Sequence, residues 1–219
     1  MADFPRIKRI VCFGDSNTHG YNAENGGRFG ESIRWPCVLQ KLLGPGYRVV
    51  EEGMNGRTAA FEDPEFEGRR GMDYIVPCMM SHKPVSLLIV MLGTNDLNPA
   101  FGAHPKTIAE GVGLLLQKAL PLPAWDEKPN ILLISPPVIR GPGGDALFGP
   151  GAKMGERSRM LAGYYRKVAE KLPCAFLDAG AMEVHPLDGT HLTPAGHRAL
   201  AGLLAPKVRA LTGEGPQNR

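Results

Sequence analysis

The chain has 219 residues, 43% hydrophobic and 21% charged, with 25 Lys and Arg against 22 Asp and Glu for a formal net charge of +3. These totals suit a single soluble α/β domain over residues 1–219 and give no footing for a nucleic-acid partner or a membrane surface. The longest apolar run, 87–92, is too short to span a bilayer, the charged start lacks a secretion signal, and Cys12, Cys37, Cys78 and Cys174 form no C-x-x-C pair, so a cytoplasmic protein with reduced, mostly buried thiols and neither a zinc site nor a redox motif is expected.

The first apolar run, 10–13, leads into Gly14-Asp15-Ser16-Asn17-Thr18-His19-Gly20 and a helix start. Trp35, Val38, Leu39, Leu42 and Leu43 then repeat with helical period until Gly44-Pro45-Gly46 stops them. A second run, 47–50, is followed by a polar stretch, 51–58, that contains Gly56 and Arg57; a short helix begins near Asp73, with Pro77 inside it. The third run, 87–92, opens onto Gly93-Thr94-Asn95-Asp96. Ile108, Val112, Leu115, Leu116 and Ala119 mark another helix, and a Pro-rich loop, 121–129, leads to the fourth run, 131–134. The long Gly/Pro-rich segment 136–155 has the character of a binding loop or lid. Leu161, Tyr164, Tyr165, Val168 and Leu172 form the next helical stripe, before Pro173 and the fifth run, 175–177. Asp188-Gly189-Thr190-His191 precedes a last helix, capped by Thr193 with Pro194 at its first position. Pro206 should bend or end that helix, although Val208 and Leu211 keep the period, and the tail from about 213 should fray.

Near-continuous apolar runs are the mark of parallel strands covered on both faces, and their alternation with helices predicts right-handed βαβ units in a three-layer α/β/α sandwich. Ligands of such sheets bind beyond the carboxyl ends of the strands, which is where all four polar clusters should fall. A serine hydroxyl needs a neighbouring base, imidazole suits that task near neutral pH, and a carboxylate fixes the imidazole tautomer. Ser16 is therefore the candidate nucleophile, His191 its base and Asp188 the orienting carboxylate. The backbone N–H groups of Ser16 and Gly56 and the side-chain amide of Asn95 are candidate oxyanion donors. Asn17, His19, Tyr21, Thr94 and Thr190 are candidate pocket residues. Asp15 and Asp96 should satisfy loop amides, Arg57 should buttress the second loop, and His197 should lie at the surface or the core edge. Taken alone, each cluster reads as a cap or a turn; their order and their convergence on one rim carry the argument.

At these residues the chain resembles the SGNH (GDSL-like) hydrolase superfamily, through Gly14-Asp15-Ser16, Gly56, Gly93-Thr94-Asn95-Asp96 and Asp188-Gly189-Thr190-His191. The resemblance implies a flavodoxin-like five-stranded parallel sheet in the order 2-1-3-4-5, with ester hydrolysis through an acyl-enzyme and neither metal nor cofactor. A small ester would be the substrate and water or an alcohol the acceptor. A closer likeness, at 12–16, 51–53, 57–58, 91–96, 135–137 and 176–180, is to an arylesterase and acyltransferase branch of that superfamily. That likeness implies short-chain acyl esters and a homo-oligomer, specifically an octamer. A carbohydrate acetyl esterase or a thioesterase would use the same triad. A nucleotide- or flavin-binding module is the remote alternative, and the absence of a Gly-rich phosphate cradle in the first loop speaks against it.

Overall fold

The computed structural model describes residues 6–141 and 153–213. Five parallel strands stand in the order 2-1-3-4-5, as expected: β1 (Lys8–Gly14), β2 (Tyr47–Gly53), β3 (Leu87–Met91), β4 (Ile131–Ser135) and β5 (Cys174–Asp178). The helices are α1 (Ser16–His19), α2 (Trp35–Leu43), α3 (Gly71–Ser81), α4 (Pro105–Ala119), α5 (Met154–Lys171) and α6 (Pro194–Thr212). No helix among the described residues is long and apolar enough to cross a membrane.

The period of two along each strand divides the interior into two cores. Leu88 and Val90 of β3, with Val11 and Phe13 of β1, join Ile75 of α3, Leu115 of α4 and Tyr165 of α5. Leu87, Ile89 and Met91, with Ile10 and Cys12, join Trp35 and Leu39 of α2 and Leu200 and Leu204 of α6 on the other face. Helices thus cover both faces of the sheet, and all five residues of β3 are buried. At about 1.5–3 kcal/mol for each fully buried aliphatic side chain, this sandwich is what fixes the strand ends against one another.

Four departures from the sequence reading have local causes. β2 runs on through Glu51 and Glu52 to Gly53, which pairs with Gly14; charged residues are accepted there because β2 is an edge strand. The helix after β1 is a single turn, Ser16–His19, closed by Gly20. α5 begins at Met154, inside the segment expected to be loop, and residues 142–152 of that segment lie outside the described residues. α6 continues through Pro206 to Thr212, because Leu204, Ala205 and Val208 on either side of the proline are buried against the sheet and α2. Most of the tail, 214–219, lies outside the described residues. All four cysteines are free; Cys12 and Cys78 are buried, whereas Cys37 and Cys174 are only half-buried.

Candidate active site

β1 ends at Gly14, and the Asp15 carboxylate caps the following turn by accepting the Asn17 N–H at 2.9 Å. Ser16 is the first residue of that turn, at the centre of the rim, since β1 lies between β2 and β3. The turn rests directly on the end of β2: a Cβ at Gly53 would lie 2.1 Å from the His19 nitrogen, so only glycine allows this approach.

The end of the chain meets this turn. The Ser16 Oγ lies 2.8 Å from Nε2 of His191, and Nδ1 of His191 lies 2.6 Å from Oδ2 of Asp188. With the ring proton on Nδ1, that N–H donates to the carboxylate and Nε2 is left to accept the serine hydroxyl. The other carboxylate oxygen accepts the N–H groups of Thr190 at 2.9 Å and His191 at 3.1 Å. Burial alone would raise the Asp188 carboxyl, but the His191 ring and those two backbone donors outweigh it and hold the group below its ordinary value. The loop is braced by an antiparallel bridge between Val184 and Leu192 and by the His185 N–H, which donates to the His191 carbonyl at 2.7 Å.

Asn17 fastens this loop on both sides of the histidine. Its Nδ2 donates to the Thr190 carbonyl at 3.3 Å, and its Oδ1 accepts the Leu192 N–H at 2.8 Å. The residue is buried, and its amide nitrogen and oxygen both bond to this loop. The Tyr21 ring centroid lies 4.4 Å from that of His191. Thr190 spends its hydroxyl on the Asp188 carbonyl at 3.0 Å, and Thr94 is buried at the start of the third-strand turn. His19 is half-buried; its carbonyl accepts from Arg28, and burial and the Arg28 charge lower its ring.

The second and third loops close the opposite side. Gly56 has a φ of +75°, a conformation open to glycine at little cost. Asn95 donates one amide hydrogen to the Arg57 carbonyl at 2.9 Å, which orients the group and leaves its second hydrogen for another acceptor. Asp96 is fully buried and accepts the Ala59 N–H through both oxygens, at 2.9 and 3.0 Å, so that adjacent residues of the third loop grip the second. Burial pushes the Asp96 carboxyl up to about 7, and pushes that of Asp15 up to about 6. The buttressing expected of Arg57 has definite partners: its guanidinium donates to the carbonyls of Gly14 and Glu52 and lies over the rings of Phe13, at 4.4 Å, and Tyr74, at 5.3 Å.

His197 corrects the reading of it as a surface or core-edge residue. It is fully buried, its Nδ1 accepts the Trp35 N–H at 3.3 Å, and burial lowers its ring to about 4. The clamp of Asn17 had no signal beyond its place next to Ser16, because its partners are 173 and 175 residues away.

The sequence pattern of the GDSL-like lipase/acylhydrolase family matches residues 12–199. Among solved structures, a carbohydrate acetylesterase family member from Sinorhizobium meliloti is 36% identical, with a TM-score of 0.85 over 94% of this chain and 99% of that one. The native aryl esterase of M. smegmatis is 34% identical, with a TM-score of 0.85 over 93% of this chain and 99% of that one. An acetylxylan esterase from Xylanibacter ruminicola is 28% identical over 142 residues, 58% of this chain; the match spans only 28% of that longer protein.

Proposed function

The chain belongs to the GDSL-like lipase/acylhydrolase family, and on that premise we propose that it is a serine esterase that cleaves short-chain acyl esters through an acyl-enzyme on Ser16. The observation that carries the reading is the continuous line from Ser16 Oγ through the His191 ring to Asp188, with links of 2.8 and 2.6 Å. His191 takes the hydroxyl proton as Ser16 attacks the acyl carbon and returns it to the leaving alcohol; water, activated by the same ring, then releases the acid. Asp188 stays ionised and stabilises the imidazolium. The N–H groups of Ser16 and Gly56 and the free amide hydrogen of Asn95 receive the oxyanion, each donor being worth about 2.7–4 kcal/mol of barrier.

Small acyl groups, acetyl foremost, are the substrate class that the carbohydrate acetylesterase and aryl esterase neighbours support. An alcohol that reaches the acyl-enzyme before water would accept the acyl group, which makes transfer a second outcome of the same intermediate. We read residues 1–219 as one domain, acting as a homo-oligomer, an octamer, in the cytoplasm. The family match over 12–199 supports the first reading and four unpaired thiols support the compartment. The octamer rests on the likeness to the arylesterase branch, and light scattering tests it.

The test of function is turnover of p-nitrophenyl esters of graded chain length beside acetylated xylan and an acyl thioester, with and without a competing alcohol. Ester cleavage highest for acetyl and lost in Ser16→Ala is expected. Full turnover by Ser16→Ala would overturn the proposal.

A further inference from the structure

Outside the triad, the edge strand β2 and the helix α3 bring three ligand-type side chains to one point. The Glu52 carboxylate, the Cys78 thiol and the His82 ring offer atoms that all lie within 4.8 Å of one another. His82 Nε2 is already 2.6 Å from Glu52 Oε1. Cys78 is buried, whereas the side chains of Glu52 and His82 keep 16% and 27% of their exposure, so the point has an inner wall and a route from solvent. Cys78 and His82 are four residues apart and so share one face of α3, the spacing that lets two side chains of a helix hold one ion. His82 is also the C-cap of α3, where the helix presents the negative end of its dipole.

We propose that Glu52, Cys78 and His82 form a three-ligand site for a thiophilic divalent cation, Zn²⁺ or its analogue Co²⁺, separate from the esterase centre. An ion pair between Glu52 and His82 would account for two of these groups; the buried thiol at the same point is what makes the set a ligand set. Sulfur, imidazole and carboxylate together suit a borderline-soft cation and not Mg²⁺ or Ca²⁺, which take oxygen. Ligands about 2.0–2.3 Å from a tetrahedral ion stand roughly 3.5 Å apart, and these atoms already lie within 4.8 Å of one another. On binding, the cation displaces the thiol proton to solvent, the proton that joins His82 to Glu52 gives way so that a ring nitrogen without hydrogen faces the ion, the thiolate and carboxylate balance its two charges, and a fourth position stays open to water. Burial and Glu52 push the free Cys78 thiol up to about 12. Arg57 pulls the same thiol the other way and so favours the thiolate. A bound ion would pin α3 to the edge strand. Nothing in the sequence spacing announces the site, because Glu52 arrives from a different element.

The experiment is titration of the untagged, chelator-treated full chain with Co²⁺ alone. One equivalent should bring up a near-ultraviolet sulfur-to-cobalt charge-transfer band, which Zn²⁺ should bleach by displacement, with a rise in Tm on loading. Cys78→Ser and His82→Gln should each abolish the band, while Cys37→Ser and Cys174→Ser keep it. No band in the unaltered chain, or a full band in His82→Gln, would overturn the proposal. Should Cys78→Ser fail to fold by circular dichroism, His82→Gln decides alone, since its ring is partly exposed and its loss leaves the buried thiol in place.

Discussion

Replacing Asn17 by alanine probes the junction between the two ends of the chain. The substitution removes the acceptor of the Leu192 N–H and the donor to the Thr190 carbonyl, the two residues that flank His191. A buried N–H left without a partner costs about 1–3 kcal/mol, and the carbonyl loses its own bond as well, so unfolding free energy should fall by at least that amount. The loop would then keep its own braces, the Asp188 turn and the bridge to Val184 and His185, but would lose its tie to the Ser16 turn, and a displacement of about 1 Å at a reacting group costs on the order of 10²-fold in rate. Asn17→Ala should therefore lower kcat/KM toward p-nitrophenyl acetate about 100-fold. Asn17→Asp keeps the acceptor but sets an oxygen against the Thr190 carbonyl, and should fall between. Ser16→Ala serves as the contrast, since it removes the hydroxyl without touching the clamp: activity should vanish while urea unfolding stays close to that of the unaltered chain. An Asn17→Ala protein with kcat/KM within twofold of the unaltered chain would refute the clamp.

Asp188→Asn should lower kcat by roughly 10³–10⁴-fold, since the amide stabilises the wrong tautomer of His191, and steady-state kinetics on the same ester measures this directly. Gly56→Ala forces a side chain onto a backbone with φ of +75° and sets its Cβ 2.7 Å from the Arg69 guanidinium. The long arginine can move aside, so the loss expected in urea unfolding is the conformational one, about 1–2 kcal/mol. The buried ring of His197 titrates near 4 in the folded chain against about 6.5 when unfolded, so the unfolded chain takes up the proton first as pH falls. Its contribution to stability is complete above about 6.5 and is lost as pH drops toward 4, by about 3 kcal/mol in all. His197→Asn, whose Oδ1 can keep the Trp35 N–H, should remove that loss. Asp15 and Asp96, raised by burial, act with the opposite sign above pH 4, so the difference between the two proteins isolates the histidine. Parallel stability curves between pH 4 and 7 would contradict this assignment.

The sequence was most informative where one element reports its own surroundings. Parallel strands packed under helices write themselves as apolar runs, so each of the five was visible and only their ends moved. β2 ran three residues past its expected end, because Glu51 and Glu52 lie on an edge where charge is tolerated. Pro206 misled because a proline reports the local loss of one N–H, while the burial of Leu204 and Val208 that sustains the helix is a tertiary matter. The same division holds at the rim. Ser16, Asp188 and His191 could be nominated because their chemistry is self-advertising and their order is distinctive. The tie of Asn17 to Thr190 and Leu192, made through backbone atoms, leaves no trace in composition or spacing; for Asp96 the satisfying of loop amides was legible, but not that the amide would be that of Ala59. His197 was misplaced for a related reason: a polar residue on an amphipathic helix looks exposed until a backbone donor, here Trp35, is known to face it.

The most direct test of the central claim is covalent trapping. A fluorophosphonate or acyl-phosphonate that mimics the tetrahedral intermediate should modify the unaltered protein once per chain, and peptide mass spectrometry should place the adduct on Ser16. His191→Gln should slow that labelling by several orders of magnitude while leaving the fold intact. An adduct on any other residue, or labelling of His191→Gln at the unaltered rate, would contradict an account in which a hydroxyl near residue 16 is activated by an imidazole 175 residues later.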